Sequence, residues 1–396
     1  MVSPRECTGA PLTRSGCEAL IGELIACELA DQRGEDVRSM QGLLSPDAPM
    51  NDAPLRMDSL EFMAAAQAVN AFFRLHAVGT EDYLLRYRTI GEWAQVVLET
   101  MRQGADGIAF RSGGTTGAPS TRFQSWAHLD SELDHLASLI NGTGRILLLV
   151  PCRHIYGCIW GPLLASRLQV PLLSGPEADA AVHGGLQAGD LVVAFPERWE
   201  YLAASLGPFP RGVVGVTSTA PCPEHLWPTL AGAGLTRLLE IYGSSETGGI
   251  GWRDAPGEPF HLFGHWRPHG NAALVRPDGF PVDLPDHVIW EGDARLRPSG
   301  RRDKAVQIAG VNVVPSAVRE RMQQCPDIEA CAVRTRQTAH GQRLKAFVVP
   351  RTDDEATRER IAAWLHAQLT APERPAAVTF GDVLPRNDMG KLSDWS

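Results

Sequence analysis

Short apolar stretches alternate with helical stretches through the middle of this chain, and this alternation constrains the fold more than any other feature. Residues 145–150, 191–195 and 212–217 are predicted to form buried strands. Helices are predicted at residues 129–140 and 159–168. Because strands that alternate with helices pair in parallel, the sequence predicts an α/β fold with a mostly parallel sheet and with functional loops after its strands.

Two further helices are predicted before this region, at residues 17–31 and 59–77, with Ser59 as a cap for the second. Apolar residues of the second helix recur at helical spacing, so we expect a core-facing stripe: Leu60, Met63, Ala64, Ala68, Phe72 and Leu75.

The pattern changes after Val288, where turn-rich and charged residues precede shorter elements. Strands are predicted at 305–308, 330–334 and 344–349, and helices at 315–324 and 355–369. We therefore predict a large N-terminal domain over residues 1–300 and a small α+β domain over residues 301–396.

Charge, hydropathy and cysteine spacing exclude several classes of protein. The net charge is −9, from 37 Lys+Arg and 46 Asp+Glu, which gives no electrostatic support for general nucleic-acid binding. No apolar run approaches the roughly 20 residues of a membrane span, and the charged first thirty residues do not form a signal peptide. The eight cysteines form no C-x-x-C pair, which argues against structural zinc and disulfides and for reduced thiols in the cytoplasm.

A glycine-rich loop at residues 111–120 follows the apolar segment 108–110. Gly113, Gly114 and Gly117 permit backbone angles that side chains forbid, so backbone N–H groups and hydroxyls can wrap an anion. A solvated linker is the alternative. The loop is not of the G-x-x-x-x-G-K-[ST] type, because no Gly-Lys-Ser/Thr follows.

A second small-residue turn follows a predicted strand at residues 240–249. Tyr242 offers a flat face for a purine, Ser244 and Ser245 offer hydroxyls, and Glu246 offers an oxygen ligand of the kind that Mg²⁺ prefers. An ordinary strand–loop with an exposed glutamate is the alternative.

Two later segments add charged groups. Gly292-Asp293 ends a predicted strand, where an aspartate can bind ribose hydroxyls, and Arg301 can reach a phosphate or ribose. Lys391 closes the segment 385–391 next to a glycine, where a solvated charge is the alternative to a catalytic one.

In this order, the segments resemble the motifs of the adenylate-forming superfamily of acyl- and aryl-CoA synthetases, luciferases and nonribosomal adenylation domains. The resemblance covers residues 105–396. The matched patterns are [ST]-S-G-[ST]-T-G-x-P-K at 112–120, Y-G-x-T-E at 242–246, the end of Y-x-T-G-D at 292–293, G-R-x-D…I-K-x-x-G at 300–310 and P-x-x-x-x-G-K at 385–391.

The resemblance implies a role for each matched position. Glu246 would hold Mg²⁺, Asp303 would be a hinge for a mobile small domain, and Lys391 would stabilise charge between carboxylate and α-phosphate. ATP phosphates would contact Ser112, Gly113, Gly114, Thr115, Thr116 and Gly117. The rest of the nucleotide would contact Thr219, Ala220, Tyr242, Gly243, Ser244, Ser245, Asp293 and Arg301. The acid pocket would be lined by His154, Tyr156, Gly157 and Gly248, although His154 can equally be a satisfied core residue.

The implied reaction is adenylation of a carboxylic acid by ATP, followed by transfer to the thiol of CoA or of the phosphopantetheine on an acyl carrier protein. Segments 194–199, 217–223, 240–252 and 310–315 also look like the compact acyl/aryl-AMP ligases of aryl polyene (xanthomonadin-type) pigment clusters. That similarity implies a hydroxybenzoate-like acid and secondary metabolism. An aliphatic acid ligase and a degenerate adenylate-binding protein remain alternatives.

Several positions depart from the family patterns. Ser120 stands where the glycine-rich loop has its lysine, and Arg122 is a candidate replacement. Ile289 and Glu291 replace the Tyr and Thr of Y-x-T-G-D, and Gln307 replaces the lysine of I-K-x-x-G. The segment before the glycine-rich loop is short, which predicts an abbreviated N-terminal subdomain.

Overall fold

The computed structural model describes residues 11–112, 120–302, 305–338, 341–385 and 394–395, apart from the side chains of Ser112, Ser120 and Arg301. Two compact units are present. The first contains residues 11–112, Thr121–Leu284 and Ile289–Arg297, and the second contains Pro285–Val288 and the described residues from Pro298 onwards.

The helices of the first unit are α1 Arg14–Arg33, α2 Val37–Gln41, α3 Ser59–Phe73, α4 Ile90–Arg102, α5 Trp126–Leu139, α6 Ile155–Cys158, α7 Leu164–Leu168, α8 Gly175–Gly184, α9 Pro196–Ser205 and α10 Leu226–Gly232. Short 3₁₀ turns lie at Leu75–Ala77 and Glu81–Leu85, and a π-helical turn at Ile159–Leu163 joins α6 to α7. No helix among the described residues is both long and apolar enough to cross a membrane.

The strands up to residue 301 are β1 Gly107–Ser112, β2 Ser120–Ser125, β3 Arg145–Leu148, β4 Leu172–Ser174, β5 Asp190–Ala194, β6 Val214–Thr217, β7 Arg237–Ser244, β8 Gly248–Arg253, β9 Phe260–Leu262, β10 Arg267–His269, β11 Ala273–Val275, β12 Pro281–Asp283, β13 Asp286–Trp290 and β14 Arg295–Arg301.

Helix α3 forms where predicted but buries a different face. Its N-cap is Asp58, which exchanges hydrogen bonds with Glu61 in a capping box, and Ser59 is the first helical residue. The predicted stripe is wrong at Leu60 and Met63, which are 78% and 53% exposed. The buried residues of α3 are Phe62, Ala65, Ala66, Val69, Phe72 and Phe73. Apolar residues surround most of this helix, so spacing alone does not select a face, and the larger aromatic side chains are buried instead.

A nine-stranded sheet in the order β13-β14-β9-β8-β7-β6-β5-β3-β4 forms the centre of the fold. Strands β4, β3, β5, β6 and β7 pair in parallel, as predicted. Strand β8 turns back antiparallel to β7, and β9 is antiparallel to β8. The connection between β7 and β8 is a tight turn, too short for the crossover that a parallel pair needs. The sheet is therefore mixed.

Helices cover the parallel half of this sheet and fix where its strands end. Trp199 of α9 is fully buried over β6, and its indole N–H donates to the Val216 carbonyl at 3.0 Å. A Cβ at Gly215 would lie 2.8 Å from the Trp199 ring, so β6 needs a glycine there. Because β3, β5, β6 and β7 run in the same direction, the segments that follow them emerge at one edge of the sheet.

The second unit is a small α+β fold. Strands β15 Val306–Ile308 and β16 Val311–Val313 form a hairpin, and helix α11 spans Pro315–Met322. Strands β17 Ile328–Thr338, β18 Gly341–Pro350 and β19 Ala377–Phe380 form a three-stranded sheet, with α12 at Glu355–Gln368. Apolar residues of both helices and of the sheet share one core that includes Val318, Met322, Leu344 and Ile361. The predicted fold class, α/β with a small C-terminal α+β domain, is thus confirmed.

Candidate active site

The turn between β7 and β8 carries the second predicted motif. Ser244 is used within the turn: its hydroxyl oxygen accepts from the Glu246 and Thr247 N–H groups, both at 3.3 Å. Tyr242, Ser245 and Glu246 are half-buried, at the edge where the parallel strands end. All three side chains are therefore partly exposed at this edge.

Strand β2 holds this turn through side chains that sequence analysis did not connect to it. The Gln124 amide donates to the Ser245 and Glu246 carbonyls at 3.0 and 3.1 Å. Arg276 donates to the Glu246 carbonyl at 3.1 Å, and Arg122 Nε lies 3.2 Å from the Glu246 carboxylate. Two guanidinium groups thus lie beside the turn, and guanidinium groups bind anions such as phosphate through charge-assisted hydrogen bonds.

The segment after β6 is fixed against β7. The Ser218 hydroxyl donates to the Ile241 carbonyl at 2.8 Å, and the Cys222 N–H donates to Glu240 at 2.9 Å. Thr219 adopts a φ of 75°, which is rare for a β-branched residue. Its hydroxyl is buried without a hydrogen-bond partner among the described residues. Thr219 and Ala220 therefore follow the strand adjacent to Tyr242, and the Thr219 hydroxyl is unsatisfied.

Asp293 lies in the turn between β13 and β14 and is exposed. In the sheet, Tyr242 of β7 pairs with Gly251 of β8, which pairs with Leu262 of β9. The Leu262 N–H in turn donates to the Ala294 carbonyl at 2.8 Å. Ala294 is therefore level with Tyr242, three strands away, at about 14 Å for ordinary strand spacing. Asp293 consequently lies at the same sheet edge as the 244–247 turn, despite the altered Y-x-T-G-D pattern.

Three of the predicted acid-pocket residues, His154, Tyr156 and Gly157, follow β3, whereas Gly248 begins β8. Glu23 of α1, which the sequence did not single out as a site residue, accepts the Cys152 and Arg153 N–H groups at 2.7 and 3.3 Å. These bonds fix the turn that leads to His154, whose side chain is exposed. Tyr156 is buried, and its hydroxyl donates to the Ala194 carbonyl at 3.3 Å. His154 is therefore exposed rather than a core residue, and it lies in the segment that follows β3.

His154 is held in its neutral form. Its Nε2 atom lies 3.1 Å from an Arg153 guanidinium N–H, so the imidazole accepts there. Partial removal of the imidazole from water, which disfavours its charged form, and the positive charge on Arg153 lower the pKa of His154 below its ordinary 6.5. At neutral pH the imidazole is thus a neutral hydrogen-bonding group.

We expect an NMR titration of His154, assigned with a His154→Gln variant, to show a midpoint below pH 6.5. A depressed pKa means that the unfolded chain binds this proton before the folded chain does. The contribution of His154 to stability is therefore complete above pH 6.5 and is lost as pH falls towards the folded pKa. A midpoint at or above 6.5 would contradict this account of the turn.

Other predicted site residues lie outside the described residues: Gly113, Gly114, Thr115, Thr116, Gly117, Asp303 and Lys391. The side chains of Ser112 and Arg301 also lie outside what the structure describes. Their roles stay predictions.

Similarity to known proteins extends over most of the chain. The protein-family model of the AMP-binding enzyme C-terminal domain matches residues 320–391. A 4-coumarate–CoA ligase of Halorhodospira halophila is 38% identical over 384 residues, which cover 94% of this chain and 97% of that protein. The chain belongs to the adenylate-forming superfamily. As a member of this superfamily it is an AMP-forming acid–thiol ligase, which adenylates an acid with ATP and then forms a thioester.

More distant members of the superfamily share the fold or part of the chain. A 3,4-dihydroxybenzoate–[aryl-carrier protein] ligase of Bacillus anthracis is 26% identical over 303 residues, covering 71% of each chain. The solved o-succinylbenzoate CoA synthetase of Bacillus subtilis superposes with a TM-score of 0.60 at 13% identity and covers 94% of this chain and 91% of its own. At that identity the superposition supports the adenylate-forming fold alone.

Proposed function

We propose that this adenylate-forming ligase activates a phenolic aryl carboxylic acid and transfers the acyl group to CoA. The observation that carries the proposal is the common sheet edge reached by Tyr242–Glu246, Thr219–Ala220, His154 and Asp293. The name of the 38% identical relative, a 4-coumarate–CoA ligase, supports an aryl acid and CoA.

The chemistry explains why one site needs groups for both a nucleotide and an acid. A carboxylate is a poor acyl donor because oxide is a poor leaving group. Attack of a carboxylate oxygen on the α-phosphorus of ATP expels pyrophosphate and gives an acyl-adenylate. A thiolate then attacks the acyl carbon and AMP leaves with the bonding electrons. Negative charge grows on phosphate oxygens in the first step, so cations at the sheet edge lower its barrier.

Each described residue then has a proposed role. Tyr242, with Thr219 and Ala220, lines the adenine and Ser245 contacts the α-phosphate, while Asp293 binds ribose hydroxyls. Glu246 is the proposed Mg²⁺ ligand, because its half-exposed carboxylate is a hard oxygen donor beside the anion-binding turn. Mg²⁺ bound there would supply positive charge against the triphosphate. Arg301 is proposed to contact ribose or phosphate.

Arg122 is proposed to replace the loop lysine that is absent at position 120. Its guanidinium lies beside Glu246 and the Arg122 side chain is 44% exposed, so the guanidinium can turn from the carboxylate to a phosphate. We expect Arg122→Ala to raise the KM for ATP about tenfold or more, the loss typical of one charge-assisted hydrogen bond, and Arg122→Lys to recover part of it. Pyrophosphate exchange at varied ATP concentration measures this.

The matched control is Arg102→Ala, since Arg102 forms a similarly exposed ion pair with Glu99 at 3.2 Å on α4. An unchanged KM for ATP in Arg122→Ala would remove Arg122 from the phosphate site. An equal increase in Arg102→Ala would assign the effect to general surface charge.

The acid and the acceptor are each proposed with one alternative. Hydroxycinnamates such as 4-coumarate and hydroxybenzoates are both planar phenolic acids, and the similarity to aryl polyene ligases favours the latter. Gly157 and Gly248 are proposed to line the acid pocket with His154 and Tyr156. The relative that acts on an aryl-carrier protein makes an acyl carrier protein the alternative acceptor to CoA.

Acid-dependent exchange of labelled pyrophosphate into ATP tests the proposed function. We expect exchange with 4-coumarate, 4-hydroxybenzoate or 3,4-dihydroxybenzoate and at least tenfold less with octanoate. Exchange with aliphatic acids alone would establish an aliphatic acid ligase, and no exchange with any of the phenolic acids would contradict the proposal. Incubation of the active acid with CoA or with a carrier protein then distinguishes the acceptor by thioester formation.

We further propose that residues 1–300 and 301–396 act as two domains, with Asp303 as the hinge of a mobile small domain. The match of residues 320–391 to a separate C-terminal domain model supports this division. A domain that changes position between steps would let one site serve both adenylation and thiol transfer.

A further inference from the structure

A buried group of two histidines and a glutamate lies on the first unit against the start of β8, and none of its three residues has a role assigned above. His128 and Glu132 are one turn apart on α5 and therefore lie on the same helix face. They are 2% and 1% exposed. His265, in the turn that follows β9, approaches them so that one donor atom from each of the three residues lies within 4.8 Å of the others.

Hydrogen bonds orient His128 as a ligand. Its Nε2 atom lies 2.8 Å from the Thr247 carbonyl oxygen, so Nε2 carries the proton and donates. The Nδ1 lone pair is then free, and Nδ1 is buried with no partner among the described residues. A histidine that donates one ring N–H to a backbone carbonyl and presents the other nitrogen is the usual arrangement at metal centres.

His265 has two buried ring nitrogens, and neither has a hydrogen-bond partner in the part of the chain that the structure describes. Its ring packs against those of His128 and Trp266, with centroids 5.4 and 5.2 Å away. Buried polar atoms in native proteins almost always have partners, so three unsatisfied imidazole nitrogens in one place indicate a missing ligand.

The backbone is shaped to admit the Glu132 carboxylate. Both carboxylate oxygens lie near the Gly249 N–H, at 3.0 and 3.1 Å. A Cβ at Gly248 or Gly249 would lie 2.6 or 2.4 Å from a Glu132 oxygen, so this approach requires glycine at both positions. A carboxylate buried with one N–H donor and no cation is costly, and a bound cation would remove that cost.

We propose that His128, Glu132 and His265 bind one divalent transition-metal ion, with Zn²⁺ as the best match. Two imidazole nitrogens, one carboxylate oxygen and a water molecule form a common tetrahedral zinc ligand set, whereas Mg²⁺ and Ca²⁺ prefer oxygen ligands. Bond lengths near 2.0–2.1 Å require ligand atoms about 3.3 Å apart, so the site closes when the ligands draw in by about 1.5 Å. His265, held by no hydrogen bond from the described residues, can make that movement.

This site differs from the cysteine-based zinc sites that the cysteine spacing argues against. His128 is bonded to Thr247 and Glu132 to Gly249. Both of these partners lie within three residues after Glu246. A bound ion would therefore fix the start of β8 against α5 and stabilise the turn that carries the proposed nucleotide groups.

Direct metal binding to the full-length protein tests the proposal without reference to catalysis. Protein treated with chelator and then incubated with Zn²⁺ should retain one equivalent after gel filtration. With Co²⁺ it should show visible absorption of a tetrahedral nitrogen and oxygen site. The variants His265→Gln and Glu132→Gln should each lower the affinity for Zn²⁺ at least tenfold. His183→Gln, a control on α8 outside this cluster, should bind like the wild type.

Circular dichroism confirms that each variant is folded, and His265→Gln, at a half-buried position in a turn, is the variant best able to keep its fold. Zn²⁺ should also raise the melting temperature of the wild type but not of His265→Gln. Less than one equivalent of zinc in the wild type, or undiminished affinity in both His265→Gln and Glu132→Gln, would overturn the proposal.

Discussion

Lys391→Ala is expected to lower acid-dependent pyrophosphate exchange by about 10²–10³-fold, because one preorganised cation at the developing charge is worth that much in comparable sites. Lys391 is proposed to match the family lysine that acts between carboxylate and α-phosphate. Transfer from preformed acyl-adenylate to the thiol does not pass through a pentacoordinate phosphorus and should keep its rate. The two half-reactions are measured separately, by exchange and by single-turnover thioester formation.

Arg336→Ala provides the control for Lys391→Ala, since it removes an exposed positive charge from the second unit. It should leave both half-reactions unchanged. An equal loss of adenylation and transfer in Lys391→Ala would show that Lys391 does not act specifically at the phosphate.

Gly157→Ala is expected to lower the free energy of unfolding by about 2–3 kcal/mol. A Cβ at position 157 would lie 2.1 Å from the Pro151 carbonyl oxygen and 2.8 Å from its carbon. Both are backbone atoms, so the turn that presents His154 must move to make room. Urea denaturation measures the change.

The control for Gly157→Ala is Gly184→Ala, at the end of α8. A Cβ at Gly184 would meet nothing within 4 Å, and alanine favours the helix there, so stability should hold or rise slightly. If Gly157→Ala lowers the free energy of unfolding by less than about 0.5 kcal/mol, the turn 151–154 can accommodate a Cβ and the account of this contact is wrong.

Local pattern was enough to predict about half of the helices and strands, and helices such as α4 and α9 were missed. The apolar runs at β3, β5 and β6 and the helical segments of the second unit were all found by periodicity. It failed where several faces of an element were apolar, as in α3, whose buried side is chosen by its partners α1 and β1. The direction of β8 depends on a tight turn whose geometry periodicity does not report.

Only part of the candidate site could be predicted, because local sequence patterns do not report contacts between distant segments. Motifs on single loops, such as Tyr242–Glu246 and Asp293, are visible in sequence because their residues are adjacent. Gln124, Arg276 and Glu23 act through contacts with distant segments, and no local signal marks them. The pair His128 and Glu132 has helical spacing that could have been noticed, but His265 joins it only through the fold.

The position of a bound acyl-adenylate analogue tests most directly whether scattered loops form one nucleotide site. In a crystal structure with a phenolic acyl-sulfamoyl adenosine, we expect the adenine against Tyr242, the ribose hydroxyls within hydrogen-bond distance of Asp293, and the aryl group beside His154. An analogue bound elsewhere, or one that leaves Tyr242 and Asp293 in separate clefts, would contradict the account.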